Sequence, residues 1–192
     1  TTGASLRIEA LAGTGKTSTL LHLVSHPDRP NGKILYTAFG AKVIAEAKER
    51  MPRHVTVKTN HGLAWWGFGS QYNSAGRLRG KVIATNLRER FRWPASRFGA
   101  ATESMALRGV LDTLRRFCNS ADPQITRIHA MPSAARVEPG NARSAVEHAS
   151  LFAALAQEVW TAWEDPADRL PVTHDVYLKR WALSRPRLPF DI

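Results

Sequence analysis

The first third of the chain divides into short blocks of apolar and polar residues. Residues 6–11 form an apolar run that predicts a strand, and residues 18–24 carry Leu20, Leu21 and Val24 at helical spacing. After a proline- and glycine-marked loop at 26–32, residues 33–39 predict a second strand suited to a buried sheet. Residues 40–51 follow as a helix with Ile44, Ala47 and Met51 on one face, closed by Pro52. Residues 55–59 predict a third strand, leading into 60–66. Three strands separated by two helices describe a parallel α/β domain.

The pattern changes from about residue 67. Residues 67–80, with glycine, serine and asparagine and with Arg77, Arg79 and Lys81 close by, predict a loop. Helices are predicted at 82–91 and 102–119, the second with Met105, Val110, Leu111, Leu114 and Phe117 as apolar positions. Pro132 and Pro139 mark 131–140 as a loop. Residues 141–163 carry Phe152, Ala156, Val159 and Trp163 in an apolar stripe, and 175–183 predict a last short helix. The apolar residues 188–192 read as the start of another strand. No internal repeat is present.

Between the first predicted strand and helix lies Ala10-Leu11-Ala12-Gly13-Thr14-Gly15-Lys16-Thr17. Glycines in this setting let the backbone curl so that successive N–H groups point at phosphate oxygens, and the following helix adds its positive end. Lys16 suits the β- and γ-phosphates and the Thr17 hydroxyl suits magnesium. The expected nucleotide-binding set is Ala12, Gly13, Thr14, Gly15, Lys16, Thr17 and Ser18, with ATP and Mg2+ as cofactors. The fold expected is therefore a partial P-loop NTPase sheet with a mostly α-helical inserted subdomain. Ligands of such sheets sit beyond the carboxyl ends of the strands, a position held here by residues 39–42 and 59–61.

The chain has 192 residues and a net charge of +11, with a pI near 10.6. Such a balance favours a polyanionic partner, of which nucleic acid is the commonest. The single cysteine, Cys118, excludes an internal disulfide and a cysteine-based metal cluster, and reads as a small buried apolar residue. No apolar run approaches the length of a membrane span and no signal-peptide pattern is present, so no membrane partner is expected. The expected location is intracellular: cytoplasm or nucleoid in a bacterium or phage, nucleus in a eukaryote. Thr1 in place of a starting methionine suggests a segment of something longer.

Four blocks in order resemble the UvrD/Rep-like superfamily 1 DNA helicases, most closely their F-box-helicase branch. They are 10–17; 35–40 with its helix to 50–52, similar to motif Ia; Thr59-Asn60-His61-Gly62-Leu63-Ala64, similar to T-x-H-[SG]-L-A; and 173–179 followed by Trp181, Leu183 and 184–186. The resemblance implies a RecA-like motor domain beginning at 1–66, a helical 1B-like insertion at 67–185, and the start of a returning Walker B strand at 186–192. It places Phe39, Lys42, Thr59 and His61 along a single-stranded DNA track. It further implies an ATP-dependent DNA helicase or translocase of 3′-to-5′ polarity, acting on single strands or single/double-strand junctions. Gly40 and Ala41 stand where the family has Asn and Lys, and no adenine-reading glutamine precedes Ala10. The family's D-E-A-Q box would begin just after Ile192, so the segment alone is expected not to be catalytically competent.

Plainer roles stand beside these. Phe39 also reads as a core residue at a strand end, and His61 as a loop cap or hydrogen-bonder. Trp65, Trp66, Trp160 and Trp163 read as core, and His174 and Asp175 as a charge pair or an N-cap. The alternative function is a non-catalytic basic nucleic-acid-binding module whose P-loop is structural or regulatory. A small-molecule P-loop kinase is disfavoured by Ala10 and by the basic charge.

Overall fold

The computed structural model describes residues 7, 9, 11, 14–29 and 31–191, which separate into two units. One holds the described residues up to 63 together with those from 187 onward, and the other is residues 64–186. The architecture is mixed α/β, mostly helical, with one small parallel sheet.

In the first unit, α1 (Lys16–Ser25), β1 (Ile34–Ala38), α2 (Ala41–Arg50) and β2 (Val55–Thr59) follow in order. The two strands pair in parallel from Ile34 opposite Val55 to Ala38 opposite Thr59, with α2 as the crossover between them. Ile34, Val55 and Val57 turn inward onto Ile44, Ala47 and Met51, the predicted apolar face of α2 with its closing methionine. Leu21 and Val24 pack against this cluster, whereas Leu20 of the same stripe is exposed.

One expectation here lies largely outside the described residues, and another fails. The strand predicted at 6–11 falls largely outside the described residues, and Arg7, Glu9 and Leu11, which are described, are not in a strand. No strand forms among the described residues 186–191 either, and Ile192 lies outside them. Asp191 instead clasps Lys33: its N–H donates to the Lys33 carbonyl and its carboxylate accepts the Lys33 N–H, each at 2.9 Å. The side chain fixes what a continuous ladder would otherwise hold.

Next in chain order is α3 (Asn60–Ala64), continued without a loop by a π-helical turn (Trp65–Gly69) and α4 (Ser70–Ser74). The loop predicted at 67–80 is therefore helical up to Ser74. Gly69 there is a spacer rather than a breaker: a Cβ would lie 2.8 Å from Trp65 and 3.2 Å from Tyr177. The rest of the second unit is α5 (Ala84–Phe91), a 3₁₀ turn (Ala95–Phe98), α6 (Glu103–Cys118), α7 (Arg127–Ala134), α8 (Ala142–Glu164) and α9 (His174–Leu183). Thr102 and Asn141 cap α6 and α8 by accepting the N–H groups of Met105 and Ser144.

The loop predicted at 131–140 is likewise helical as far as Ala134. Pro132 removes only the N–H that would bond the carbonyl four residues back, that of Ile128, a residue 77% exposed. The stripe Phe152, Ala156, Val159 and Trp163 is buried as predicted, and Trp160 with it. Trp66 contradicts its core assignment by being 78% exposed, while Trp65 is half-buried edge-on to Tyr177. Thr173, not His174 or Asp175, holds the N-cap position of α9. Cys118 is half-buried rather than buried, and burial pushes its thiol up to about 12.

Candidate functional site

The candidate nucleotide loop turns on Gly15. Its φ of 87° is left-handed, a conformation glycine adopts without steric cost, and it delivers the chain directly into α1. Ala12 and Gly13 lie outside the described residues. Thr14 Oγ1 and Lys16 Nζ both donate to the Leu11 carbonyl, at 2.7 and 2.6 Å, drawing the two sides of the loop together. Lys16 is exposed, and Thr17 and Ser18 are half-buried.

The start of α1 has no side-chain cap and no acidic residue in its first turn. Such a helix start carries the positive end of the helix dipole, and Lys16 lies in its first turn. Sequence reasoning passed over Arg50, the last residue of α2, whose guanidinium reaches Ser18 Oγ at 3.4 Å. The cluster of basic residues at the end of α2 was the available signal.

The carboxyl ends of the parallel strands β1 and β2 share one edge of the sheet. Phe39 follows β1 and is 80% exposed, which removes its reading as a core residue. Its ring meets that of His61 edge-on, with centroids 6.2 Å apart and planes at 67°. Thr59 ends β2, and its Oγ1 accepts the N–H of Gly62 at 2.9 Å. That bond caps α3, the helix that carries His61. Lys42 is exposed at the second position of α2, after an uncapped Gly40. Phe39 and His61 are therefore joined in one aromatic edge, with Thr59 as its support.

Among the described residues no group of three or more His, Cys, Asp or Glu side chains could hold a metal ion. A cleft of about 490 Å³ opens in the second unit, where Asp112 and Asp175 line it along with Lys81, Arg108 and Arg115. Also among the described residues, no helix is long and apolar enough to cross a membrane.

The chain is 31% identical over 194 residues to F-box DNA helicase 1 of Gallus gallus, an alignment covering 97% of this chain and 18% of that protein. It is 33% identical over 132 residues to F-box DNA helicase protein 1 of Schizosaccharomyces pombe (strain 972), covering 64% of this chain and 15% of that protein. These relatives are DNA helicases. The chain spans less than a fifth of the length of either. No protein-family model matches it, and no solved structure does.

Proposed function

We propose that this chain is the ATP-binding, single-strand-binding part of a UvrD-like superfamily 1 DNA helicase or translocase of 3′-to-5′ polarity. The observation that carries the reading is the left-handed Gly15 opening an uncapped α1 with Lys16 in its first turn. Residues 12–18 would cradle the phosphates of ATP, Lys16 would neutralise the β- and γ-phosphates, and Thr17 would hold Mg2+. Bound nucleotide would draw the Lys16 ammonium from the Leu11 carbonyl to a stronger, charged acceptor. The exposed Phe39 would stack on a base while His61 and Lys42 hold the sugar–phosphate chain.

In the intact protein, cycles of ATP hydrolysis would step single-stranded DNA past this edge and separate duplex at a junction. Residues 1–66 would begin the motor domain, 67–185 would be its helical insertion, and 186–192 would return to it. The carboxylates that activate water would come from other parts of the intact protein, so hydrolysis by these 192 residues alone would be negligible.

The test is Mg·ATP binding by the 192-residue chain, with and without Lys16→Ala. Loss of a charge-assisted phosphate contact of roughly 1.5–3 kcal/mol should weaken binding about 10- to 150-fold. Unchanged ATP affinity in the variant would sink the phosphate-loop assignment. Hydrolysis stimulated by single-stranded DNA and abolished by the substitution would place a water-activating carboxylate within these residues.

A further inference from the structure

A groove of about 350 Å³ lies in the first unit between α2 and β2, lined by Ala41, Ile44, Ala45, Lys48, Val57, Lys58, Thr59 and Gly62. It follows from the sequence pattern. Ala41, Ala45 and Lys48 fall at spacings of four and three and so form one stripe along α2, two small residues and then a cation. On β2, Val55 and Val57 turn inward, leaving Lys58 exposed just before Thr59. The small side chains leave the groove open, Ile44 and Val57 give it an apolar floor, and the two lysines border it.

No carboxylate lines this groove. Lys48 and Lys58 are exposed and make no ion pair among the described residues. The cleft of the second unit differs, since it mixes Asp112 and Asp175 with Lys81, Arg108 and Arg115. The groove also reaches Thr59 and Gly62, the pair that fixes the start of α3 beside His61.

We infer that this groove is a second contact for single-stranded nucleic acid, in which Lys48 and Lys58 hold phosphates and the apolar floor takes the sugar–base side of the strand. The strand would leave the Phe39–His61 edge at Thr59 and continue along α2. This rests on the single-strand-binding reading given above and extends it to Lys48 and Lys58, which that reading does not use. An ammonium on a flexible stem suits a phosphate whose position shifts as the strand advances, because it contributes charge without demanding a fixed geometry. Contacts of this kind add affinity without sequence preference.

The test measures the affinity of the full 192-residue chain for an oligothymidylate over a series of salt concentrations. Variants are Lys48→Ala with Lys58→Ala, Ala45→Glu, and Phe39→Ala. For single strands each neutralised phosphate contributes about 0.7 to the salt slope, so the double variant should lower it by about 1.4. Ala45→Glu, an exposed change on a helix that accepts Glu, should raise Kd on the order of tenfold by setting a carboxylate against the phosphates. Circular dichroism of each variant checks that the fold is kept. If Phe39→Ala weakens binding while the double variant keeps both slope and affinity, the groove is not a contact and the edge reading stands alone. If the unmodified chain binds no oligonucleotide at any salt, the single-strand reading fails and the groove contact fails with it.

Discussion

Arg77 is buried, and its guanidinium donates to three backbone carbonyls: Leu170 at 3.0 Å, Asp165 at 2.7 Å and Ala162 at 3.1 Å. It also lies over the Tyr72 ring, 5.3 Å from its centroid. A planar fork with fixed donor directions can tie the end of α8 to the segment before α9 in this way, and a lysine cannot. Arg77→Met should leave these carbonyls without a donor and cost roughly 3 kcal/mol. Arg77→Lys should recover little of it. Urea unfolding followed by tryptophan fluorescence would measure both, and an Arg77→Met midpoint equal to that of the unmodified chain would refute the role. The sequence shows Arg77 only as one of three cations near a glycine-bearing stretch. Its burial depends on carbonyls 85 to 93 residues away, which no local pattern announces.

At the scale of elements, α6 and α8 approach closely where Gly109 faces Phe152. A Cβ on Gly109 would stand 2.5 to 3.0 Å from three atoms of that ring, and Phe152 is fully buried with nowhere to retreat. Gly109→Ala gains about 1 kcal/mol of helix propensity. Overpacking costs about 1–3 kcal/mol, so the net effect should be destabilising. Phe152→Leu in the same chain should recover part of the loss. Thermal melts of the single and double variants decide it, and a Gly109→Ala chain more stable than the parent would overturn the packing account.

The same position explains what was legible. Helices α2, α6 and α8 were readable because their apolar stripes decide which face is buried, and β1 and β2 because alternate residues turn inward, Ile34, Tyr36 and Ala38 in one and Val55 and Val57 in the other. The π-helical turn and α7 were misread because glycine and proline normally end helices. Here Gly69 makes room for Trp65 and Tyr177, and Pro132 loses one bond on a solvent-facing turn. At the candidate site, the loop from Thr14 to Ser18 was visible as a motif. The use of the Thr59 hydroxyl as a helix cap, and the engagement of Ser18 by Arg50, are tertiary consequences.

At the scale of the whole molecule, two carboxylates couple the helical unit to pH. Burial by itself would push the Asp168 carboxyl up, but two donors from Arg90, at 2.6 and 2.8 Å, and the Leu170 N–H hold it below its ordinary value. Arg97, with help from the Trp93 indole N–H, holds Glu158 below its own. Both groups protonate more readily in the unfolded chain. Their stabilisation is therefore complete above the unfolded values near 4 and is lost as pH falls through the lower folded values. Stability should stay level from pH 7 to about 5 and drop below about 4. Asp168→Asn should flatten the acid limb, and an unchanged limb would show that other groups control it.

The clasp between Lys33 and Asp191 spans 158 residues. At ribosomal rates of roughly 5–20 residues per second, on the order of ten to thirty seconds separate the synthesis of Lys33 from that of Asp191. Closing so long a flexible loop would cost about 4–5 kcal/mol of chain entropy. The second unit shortens that search, because α9 packs against the π-helical turn at its own beginning and so brings its two ends together. Within it, α6, α7 and α8 pack on one another in succession, and contacts of that kind form early. The Lys33–Asp191 clasp thus waits on the folding of the residues between them.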